Sequence, residues 1–203
     1  MDCYFFGTFN PIHFGHISIA KQVREALGFE RIIFVPSYMP PHKLGITLPF
    51  EDRLNMTKLA VGETCVSDIE RKMPIPSYTY KTIEKLYKEN NNEKVNFILG
   101  FDQFFKLESW REPEILKQKT NFIVIPRRFS NGQTLSEKAF EYFKNKGFSF
   151  QVLNIDFLDV SSEQIRQLCS QNKDISNLTT KEVQNYIEEH KLYRKLAERK
   201  SIF

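Results

Sequence analysis

Cysteine is scarce in this chain of 203 residues. Its three cysteines, Cys3, Cys65 and Cys169, are odd in number and far apart, and none belongs to a C-x-x-C pair. This pattern indicates neither a disulfide framework nor a zinc cluster. We therefore expect the thiols to be buried.

The chain also lacks a long apolar run. No segment reaches the roughly 18 apolar residues that a membrane-spanning helix requires, and no basic N-terminal region precedes an apolar stretch. We expect a soluble, cytoplasmic protein without a membrane partner.

A strong excess of charge of one sign is missing as well. The chain has 29 Lys and Arg against 25 Asp and Glu, a net charge of +4, and the two signs alternate along the sequence. Nucleic-acid binding is therefore not indicated. Hydrophobic residues make up 41% of the chain, which is enough for an ordered core. We expect one domain over residues 1–193, with a helical part from about residue 160, and a basic tail over residues 194–203.

The chain does contain an alternation of short apolar runs with amphipathic segments. Buried strands are predicted over residues 3–6, 31–35, 95–100, 121–125 and 150–155. Helices are predicted over residues 16–27, 50–61, 79–88 and 179–190, and a further helix begins at a Ser-x-x-Gln capping box over residues 161–164. This order predicts an α/β fold with a doubly wound parallel sheet of the Rossmann-like type.

Residues 7–16, Gly-Thr-Phe-Asn-Pro-Ile-His-Phe-Gly-His, lie between the first predicted strand and the first predicted helix. A strand that ends in Gly-Thr and turns through Asn-Pro brings main-chain N–H groups and two imidazoles, His13 and His16, to a helix start. Gly15 lets the backbone come close to a bound phosphate. Such a place suits a nucleoside triphosphate. From the histidine pair alone, a metal site or capped surface residues are equally open interpretations.

Three more groups of residues are placed for ligand binding. Residues 36–49 contain Pro-Pro-His-Lys and leave the carboxyl end of the second strand, where ligands bind in such folds. Ser162 and Arg166 lie one turn apart at a helix start, which makes an anion site by dipole and charge. Asp102 follows Gly100 at a strand end, and it would bind ribose hydroxyls or cap the next helix.

Together these motifs resemble the bacterial nicotinate-nucleotide adenylyltransferase family of the nucleotidyltransferase superfamily. The resemblance rests on H-x-G-H over residues 13–16, on residues 36–43, 77–79, 100–102, 110, 161–166 and 186–193, and on their order. It implies that AMP moves from ATP to the phosphate of nicotinate mononucleotide, which gives nicotinate adenine dinucleotide and pyrophosphate in NAD biosynthesis. The transfer would be direct, without a covalent enzyme intermediate.

The resemblance also implies roles for individual residues. The catalytic set would be His13, His16, Lys43 and Arg166. The ATP-binding set would be Gly7, Thr8, Phe9, Gly15, His16, Gly100, Asp102, Ser161, Ser162 and Arg166. The nicotinate-nucleotide-binding set would be His42, Lys43, Thr79 and Trp110. Mg²⁺ would be bound mainly through the substrate phosphates, so no metal-ligating residue is predicted.

Structural roles compete with some of these assignments. The structural alternatives are an exposed lysine for Lys43, a core residue for Trp110 and an N-cap for Thr79, and the functional interpretation is favoured for Lys43 and Trp110. The chain departs from the family pattern in four places. Phe6 before Gly7 and Asn10 in place of an acid change the local charge but keep the turn chemistry. The bulky Phe101 and the lack of a Pro-Gly pair in Arg127-Arg128-Phe129 affect substrate contacts.

Other functions stay open at this point. Phosphopantetheine adenylyltransferases and cytidylyltransferases share the first motif, and a nucleotide-sensing module without turnover would keep ATP binding. The sequence leaves open the choice between nicotinate and nicotinamide mononucleotide, and equally the oligomeric state, a homo-oligomer included.

Overall fold

The protein folds around one parallel β-sheet. The computed structural model describes residues 1–39, 47–126, 137–156 and 158–194. The strands are β1 (Asp2–Gly7), β2 (Arg31–Pro36), β3 (Val95–Gly100), β4 (Thr120–Ile125) and β5 (Ser149–Val152). All pair in parallel, in the order β2-β1-β3-β4-β5. The predicted α/β fold is confirmed.

The helices alternate with the strands as the sequence pattern predicts. They are α1 (Phe14–Leu27), α2 (Phe50–Val61), α3 (Thr79–Glu89), α4 (Phe101–Phe104), α5 (Pro113–Lys119), α6 (Glu137–Asn145), α7 (Ser162–Ser170) and α8 (Lys181–Glu189). Gly28 ends α1 in the left-handed conformation, with φ 69°, and its N–H donates to Arg24 O. Ser161 caps α7 by accepting from Gln164 N at 3.1 Å, so this predicted cap is confirmed.

Several predicted boundaries are wrong by one to three residues, and α1 begins at Phe14 rather than at residue 16. β5 ends at Val152 rather than at residue 155, because it is an edge strand whose register with β4 ends there. Helix α8 begins at Lys181, since Thr180 accepts from Val183 N and is the N-cap. Helix α3 begins at Thr79 as predicted, with Tyr78 as an N-cap that makes no side-chain hydrogen bond, and the hydroxyl of Ser77 accepts from Met39 N instead.

Helices cover both faces of the sheet and form a separate apolar core on each. Val23 of α1, Ile165 of α7 and Val183 of α8 belong to one core. The other core contains residues from α3, α5 and α6, among them Ile83, Leu116 and Phe143. Two faces buried under helices explain why the central strands are continuous apolar runs.

Two of the three cysteines lie in the interior of the protein. Cys3 and Cys169 are buried, as predicted, whereas Cys65 is partly exposed. Among the described residues, none of the helices has the length and apolar character that crossing a membrane requires.

The strand order places a ligand crevice. The chain order reverses at β1, which lies between β2 and β3. In open parallel sheets, ligands bind at the carboxyl ends of the strands beside such a reversal. These ends are Gly7 of β1 and Gly100 of β3, and each is followed by a segment predicted to bind ATP. The expected division into residues 1–193 and a tail stays a prediction.

Candidate active site

Both motif histidines lie at the N-terminus of α1. His13 is the N-cap residue of this helix and makes no side-chain cap. The ring of His16 stacks on the ring of His13, with centroids 3.7 Å apart, and it meets the ring of Phe9 edge-on at 5.0 Å. The neighbouring rings therefore fix the orientation of the His16 imidazole. The positive end of the helix dipole adds to the attraction that this place has for an anion.

Burial sets the protonation state of His13. The residue is 7% exposed, and burial lowers the pKa of its imidazole from 6.5 to about 4. His13 is therefore neutral at pH 7 without a ligand. A neutral imidazole keeps one N–H group, which can donate a hydrogen bond to a phosphate oxygen.

Two glycines of the motif are required by the packing of its rings. A Cβ atom at Gly7 would lie 2.6 Å from the Phe9 ring, and one at Gly15 would lie 3.0 Å from His13 Nδ1 and 3.1 Å from Val160. The sequence predicts that Gly15 admits a phosphate. The structure adds a second reason, because a side chain there would displace the first histidine.

The loop between β1 and α1 is held through its carbonyl oxygens. Five of them accept hydrogen bonds from distant residues: Gly7 O from Ser37 N at 2.9 Å, Thr8 O from Arg53 at 2.8 Å, Asn10 O from Arg166 at 2.9 Å, Pro11 O from Ser162 at 2.8 Å and Ile12 O from Thr179 at 2.9 Å. We call residues 7–12, held in this way, the anchored loop. Within a trans peptide the C=O and N–H groups point in opposite directions. Each of these anchors in a trans peptide therefore also sets the direction of the next residue's N–H.

Asn10 ties the anchored loop to two other parts of the chain. It is 5% exposed, and its Oδ1 accepts from the hydroxyl of Tyr193 at 2.9 Å and from Leu48 N at 3.4 Å. A carboxylate would accept the same two bonds, so the replacement of the family's acid by Asn10 keeps them at a lower local negative charge.

The serines and the arginine predicted to contact ATP lie beside the anchored loop. Ser162 and Arg166 donate to its carbonyls, and Ser161 caps α7. These hydrogen bonds place Ser162 and Arg166 next to the motif, as predicted. Direct contact of these three residues with ATP stays a prediction.

Four other predicted site residues lie at the end of β3, at the start of α3 and shortly before α5. Gly100 ends β3, and Asp102 lies in the first turn of α4. Thr79 is the first residue of α3, and Trp110 is partly buried against the core on that side. The guanidinium of Arg111 lies 4.9 Å from the centre of the Tyr78 ring, so the segment that carries Trp110 packs against the start of α3. The N-cap alternative for Thr79 is wrong, because Tyr78 is the N-cap.

His42 and Lys43 lie outside the described residues, as do Arg127, Arg128 and Phe129. Their assigned roles stay predictions. The two described flanks, at Met39 and Thr47, belong to the segment that follows β2.

Two buried charged residues beside the site, Arg53 and Glu70, are missed by the sequence analysis. Arg53 is 1% exposed and Glu70 is 3% exposed. A signal for Arg53 exists, because it shares the apolar stripe of α2 with Phe50, Leu54 and Thr57. A charged side chain on such a stripe needs buried partners. Glu70 lies in a short 3₁₀ segment, Ile69–Lys72, which has too little periodicity to reveal its burial.

The groups at this site suit a metal ion that binds through the substrate phosphates rather than through protein side chains. Within the described ranges, no cluster of three or more His, Cys, Asp and Glu side chains could hold a metal ion. The anchored loop offers main-chain N–H groups, and His13 and His16 after it offer imidazoles, all of which attract phosphate. The Mg²⁺ that ATP chemistry implies would be held by the phosphates themselves, with waters completing its shell.

Comparison with known proteins agrees with this geometry. The family model described as Cytidylyltransferase-like matches residues 4–168. A protein of Caldicellulosiruptor saccharolyticus named "probable nicotinate-nucleotide adenylyltransferase" is 39% identical over 196 residues, which cover 94% of this chain and 97% of that protein. A protein of the same name from Staphylococcus epidermidis is 37% identical over 195 residues, covering 93% and 95%.

A solved structure shares the whole architecture. The nicotinic acid mononucleotide adenylyltransferase of Plasmodium falciparum, in complex with NaAD, matches with a TM-score of 0.75 and covers 95% of this chain and 96% of that one. At 22% identity this match shows the fold alone. The family follows from the Cytidylyltransferase-like match and from the relatives above 30% identity. This chain, with its H-x-G-H loop at the crevice of a parallel sheet, belongs to the nicotinate-nucleotide adenylyltransferase family of nucleotidyltransferases.

Proposed function

We propose that this chain transfers the adenylyl group of ATP to the phosphate of nicotinate mononucleotide. The products are nicotinate adenine dinucleotide and pyrophosphate. The observation that carries the proposal is the anchored loop, which is followed by the stacked imidazoles of His13 and His16 at the N-terminus of α1. Relatives that carry the name of this reaction match almost the full length of the chain, which supports the proposal.

The chemistry needs alignment more than it needs an activated nucleophile. An oxygen of the acceptor phosphate attacks the α-phosphorus of ATP, and the bond from that phosphorus to the bridging oxygen breaks. The electron pair leaves on pyrophosphate. Because the acceptor phosphate is already an anion, no proton has to be removed from it. The protein aligns the two phosphates and stabilises the charge that develops between them.

The motif residues supply that stabilisation. His16 donates to the α-phosphoryl group, and His13 donates its one N–H to a neighbouring phosphate oxygen. Arg166 has five N–H donors, so its bond to Asn10 O leaves others for the triphosphate. Mg²⁺ held by the substrate phosphates would supply positive charge beside the leaving pyrophosphate.

The remaining residues position the two nucleosides. Asp102 accepts hydrogen bonds from the ribose hydroxyls of ATP. Trp110 stacks on the nicotinate ring, and Thr79 at the start of α3 borders the same pocket. His42 and Lys43 hold the acceptor phosphate.

The test is pyrophosphate release with ATP and Mg²⁺ in the presence of one acceptor at a time. Nicotinate mononucleotide, nicotinamide mononucleotide and phosphopantetheine are compared under identical conditions, and CTP replaces ATP in a parallel series. We expect release with ATP and the nicotinate acceptor. Preference for phosphopantetheine or for CTP would mean that the chain catalyses a different nucleotidyl transfer. ATP binding without release on any acceptor would identify a sensing module.

A further inference from the structure

A buried guanidinium joins three separate stretches of backbone. Arg53 of α2 donates to Thr8 O at 2.8 Å, to Leu48 O at 3.1 Å and to Tyr38 O at 3.3 Å. Thr8 belongs to the anchored loop. Tyr38 and Leu48 stand on either side of residues 40–46, the stretch of sequence that contains His42 and Lys43. The side chain of Arg53 therefore links the anchored loop to residues on both sides of that stretch.

A buried carboxylate, that of Glu70, binds the backbone of Tyr38 as well. Glu70 accepts from Tyr38 N at 3.0 Å, and the hydroxyl of Ser77 also stabilises its ionised form. Ser77 in turn bonds twice to Met39, because its Oγ accepts from Met39 N and its N–H donates to Met39 O, both at 3.2 Å. Ser77 lies two residues before Thr79, at the start of α3.

The resulting network fixes Tyr38 and Met39 completely. All four of their backbone polar groups, two N–H and two C=O, have partners among Arg53, Glu70 and Ser77. We call these three residues the junction. It connects the anchored loop, the segment after β2 and the start of α3, which are the three places that meet around the two phosphates in the proposed reaction.

A junction of this kind is costly to bury. Desolvation raises the pKa of Glu70 from 4.5 to about 7, although Tyr38 N–H, Ser77 and Arg53 all favour the carboxylate. An apolar cluster would fill the same volume without that cost, whereas directed hydrogen bonds define one position of the backbone.

We propose that Glu70 and Arg53 are positioning residues for the acceptor nucleotide. They set residues 38–39 and Ser77 against the anchored loop, so that the acceptor phosphate meets the α-phosphorus. This inference rests on the proposed function. The junction acts on the acceptor more than on ATP, since most of its bonds go to the segment after β2 and only one goes to Thr8.

The variant that tests the inference is Glu70→Gln, which keeps the size of the side chain. Its amide NH₂ would face the donors of Tyr38 and Ser77, so the bonds are weakened without a cavity. Glu25→Gln, an exposed position on α1, is the matched control. Arg53→Lys and Arg53→Met form a second pair. Lysine keeps the charge and part of the donor capacity, and methionine keeps only the bulk.

The first measurement is amide hydrogen exchange at Tyr38 and Met39, which needs no turnover. We expect exchange at Tyr38 to be at least about tenfold faster in Glu70→Gln, because its N–H loses the carboxylate acceptor. Exchange at Met39 should also be faster, because its acceptor Ser77 is held by Glu70, and neither amide should change in the control. The second measurement is steady-state kinetics. We expect the KM for the acceptor to rise about tenfold and the KM for ATP to stay within about twofold. The KM for the acceptor should rise less in Arg53→Lys than in Arg53→Met.

A purely structural role predicts something different. It would lower the active fraction, and hence kcat, with both KM values unchanged, or it would raise both KM values equally. Either result, or unchanged exchange at Tyr38 and Met39, overturns the inference while an active wild type leaves the proposed function standing. A wild type that releases no pyrophosphate with any acceptor overturns the proposed function, and the role of the junction with it.

Discussion

At the scale of single residues, His16 is held by rings on two sides and has little freedom to turn. It stacks on His13 and meets Phe9 edge-on. We expect His16→Ala to lower kcat by about a hundredfold or more, because it removes a preorganised donor at the reacting phosphate. Single-turnover measurements with saturating ATP and nicotinate mononucleotide check this. His190→Ala, at the exposed end of α8, is the control and should keep wild-type turnover. Turnover of His16→Ala within a fewfold of the parent would remove His16 from the α-phosphoryl group.

The residues of the site differ in how well the sequence predicts them. The two histidines follow from the motif and its place after a strand, because the helix start is a local feature. The hydrogen bonds of Ser162 and Arg166 to Pro11 O and Asn10 O could not be predicted. They join residues about 150 positions apart in sequence, and only the folded chain brings them together. Arg53 and Glu70 lack a motif altogether.

At the scale of elements, the two serines at the start of α7 separate stability from function. Ser161 Oγ caps the helix, whereas Ser162 Oγ holds Pro11 O of the anchored loop. We expect Ser161→Ala to lower the free energy of unfolding by about 1 kcal/mol, because one helix N–H loses its acceptor. Urea unfolding checks this value.

The neighbouring substitution should act on the substrate. Ser162→Ala releases one carbonyl of the anchored loop, and we expect the KM for ATP to rise severalfold. The same assay on Ser161→Ala gives the comparison. If Ser161→Ala raised the KM for ATP as much as Ser162→Ala does, the hydroxyl of Ser161 would contact the nucleotide in addition to its role as cap.

The order of the strands and longer helices follows from the sequence, but several ends and the short helices do not. A buried strand is a run of apolar residues and an amphipathic helix repeats its apolar positions, so both leave a local pattern. Helices α4 and α5 span four and seven residues, too short to show a helical period. The end of β5 depends on pairing with β4, which is a tertiary contact.

At the scale of the whole molecule, two buried titratable groups impose opposite pH dependences on stability. The pKa of His13 is about 4 in the folded protein and 6.5 ordinarily, so between these values the unfolded chain binds more protons and stability rises with pH. The pKa of Glu70 is about 7 when folded and 4.5 ordinarily, so the folded chain binds more protons and stability falls as pH rises. Between pH 4.5 and 6.5 the two slopes oppose each other.

Removing either group should therefore expose the slope of the other. We expect His13→Gln to gain stability relative to the wild type as pH falls from 6.5 to 4.5, and Glu70→Gln to gain relative stability as pH rises over the same range. Each difference should approach about 1.4 kcal/mol per pH unit as an upper limit. Urea unfolding without nucleotide, at pH 4.5, 5.5 and 6.5, measures both curves, and Glu25→Gln should run parallel to the wild type. A flat difference curve for either variant would mean that the group keeps its ordinary pKa in the folded protein, and a slope of reversed sign would mean that its pKa shifts in the opposite direction. For Glu70 a flat curve would leave the hydrogen bond from Tyr38 N in place but remove the desolvation cost, because the carboxylate would then be in contact with water.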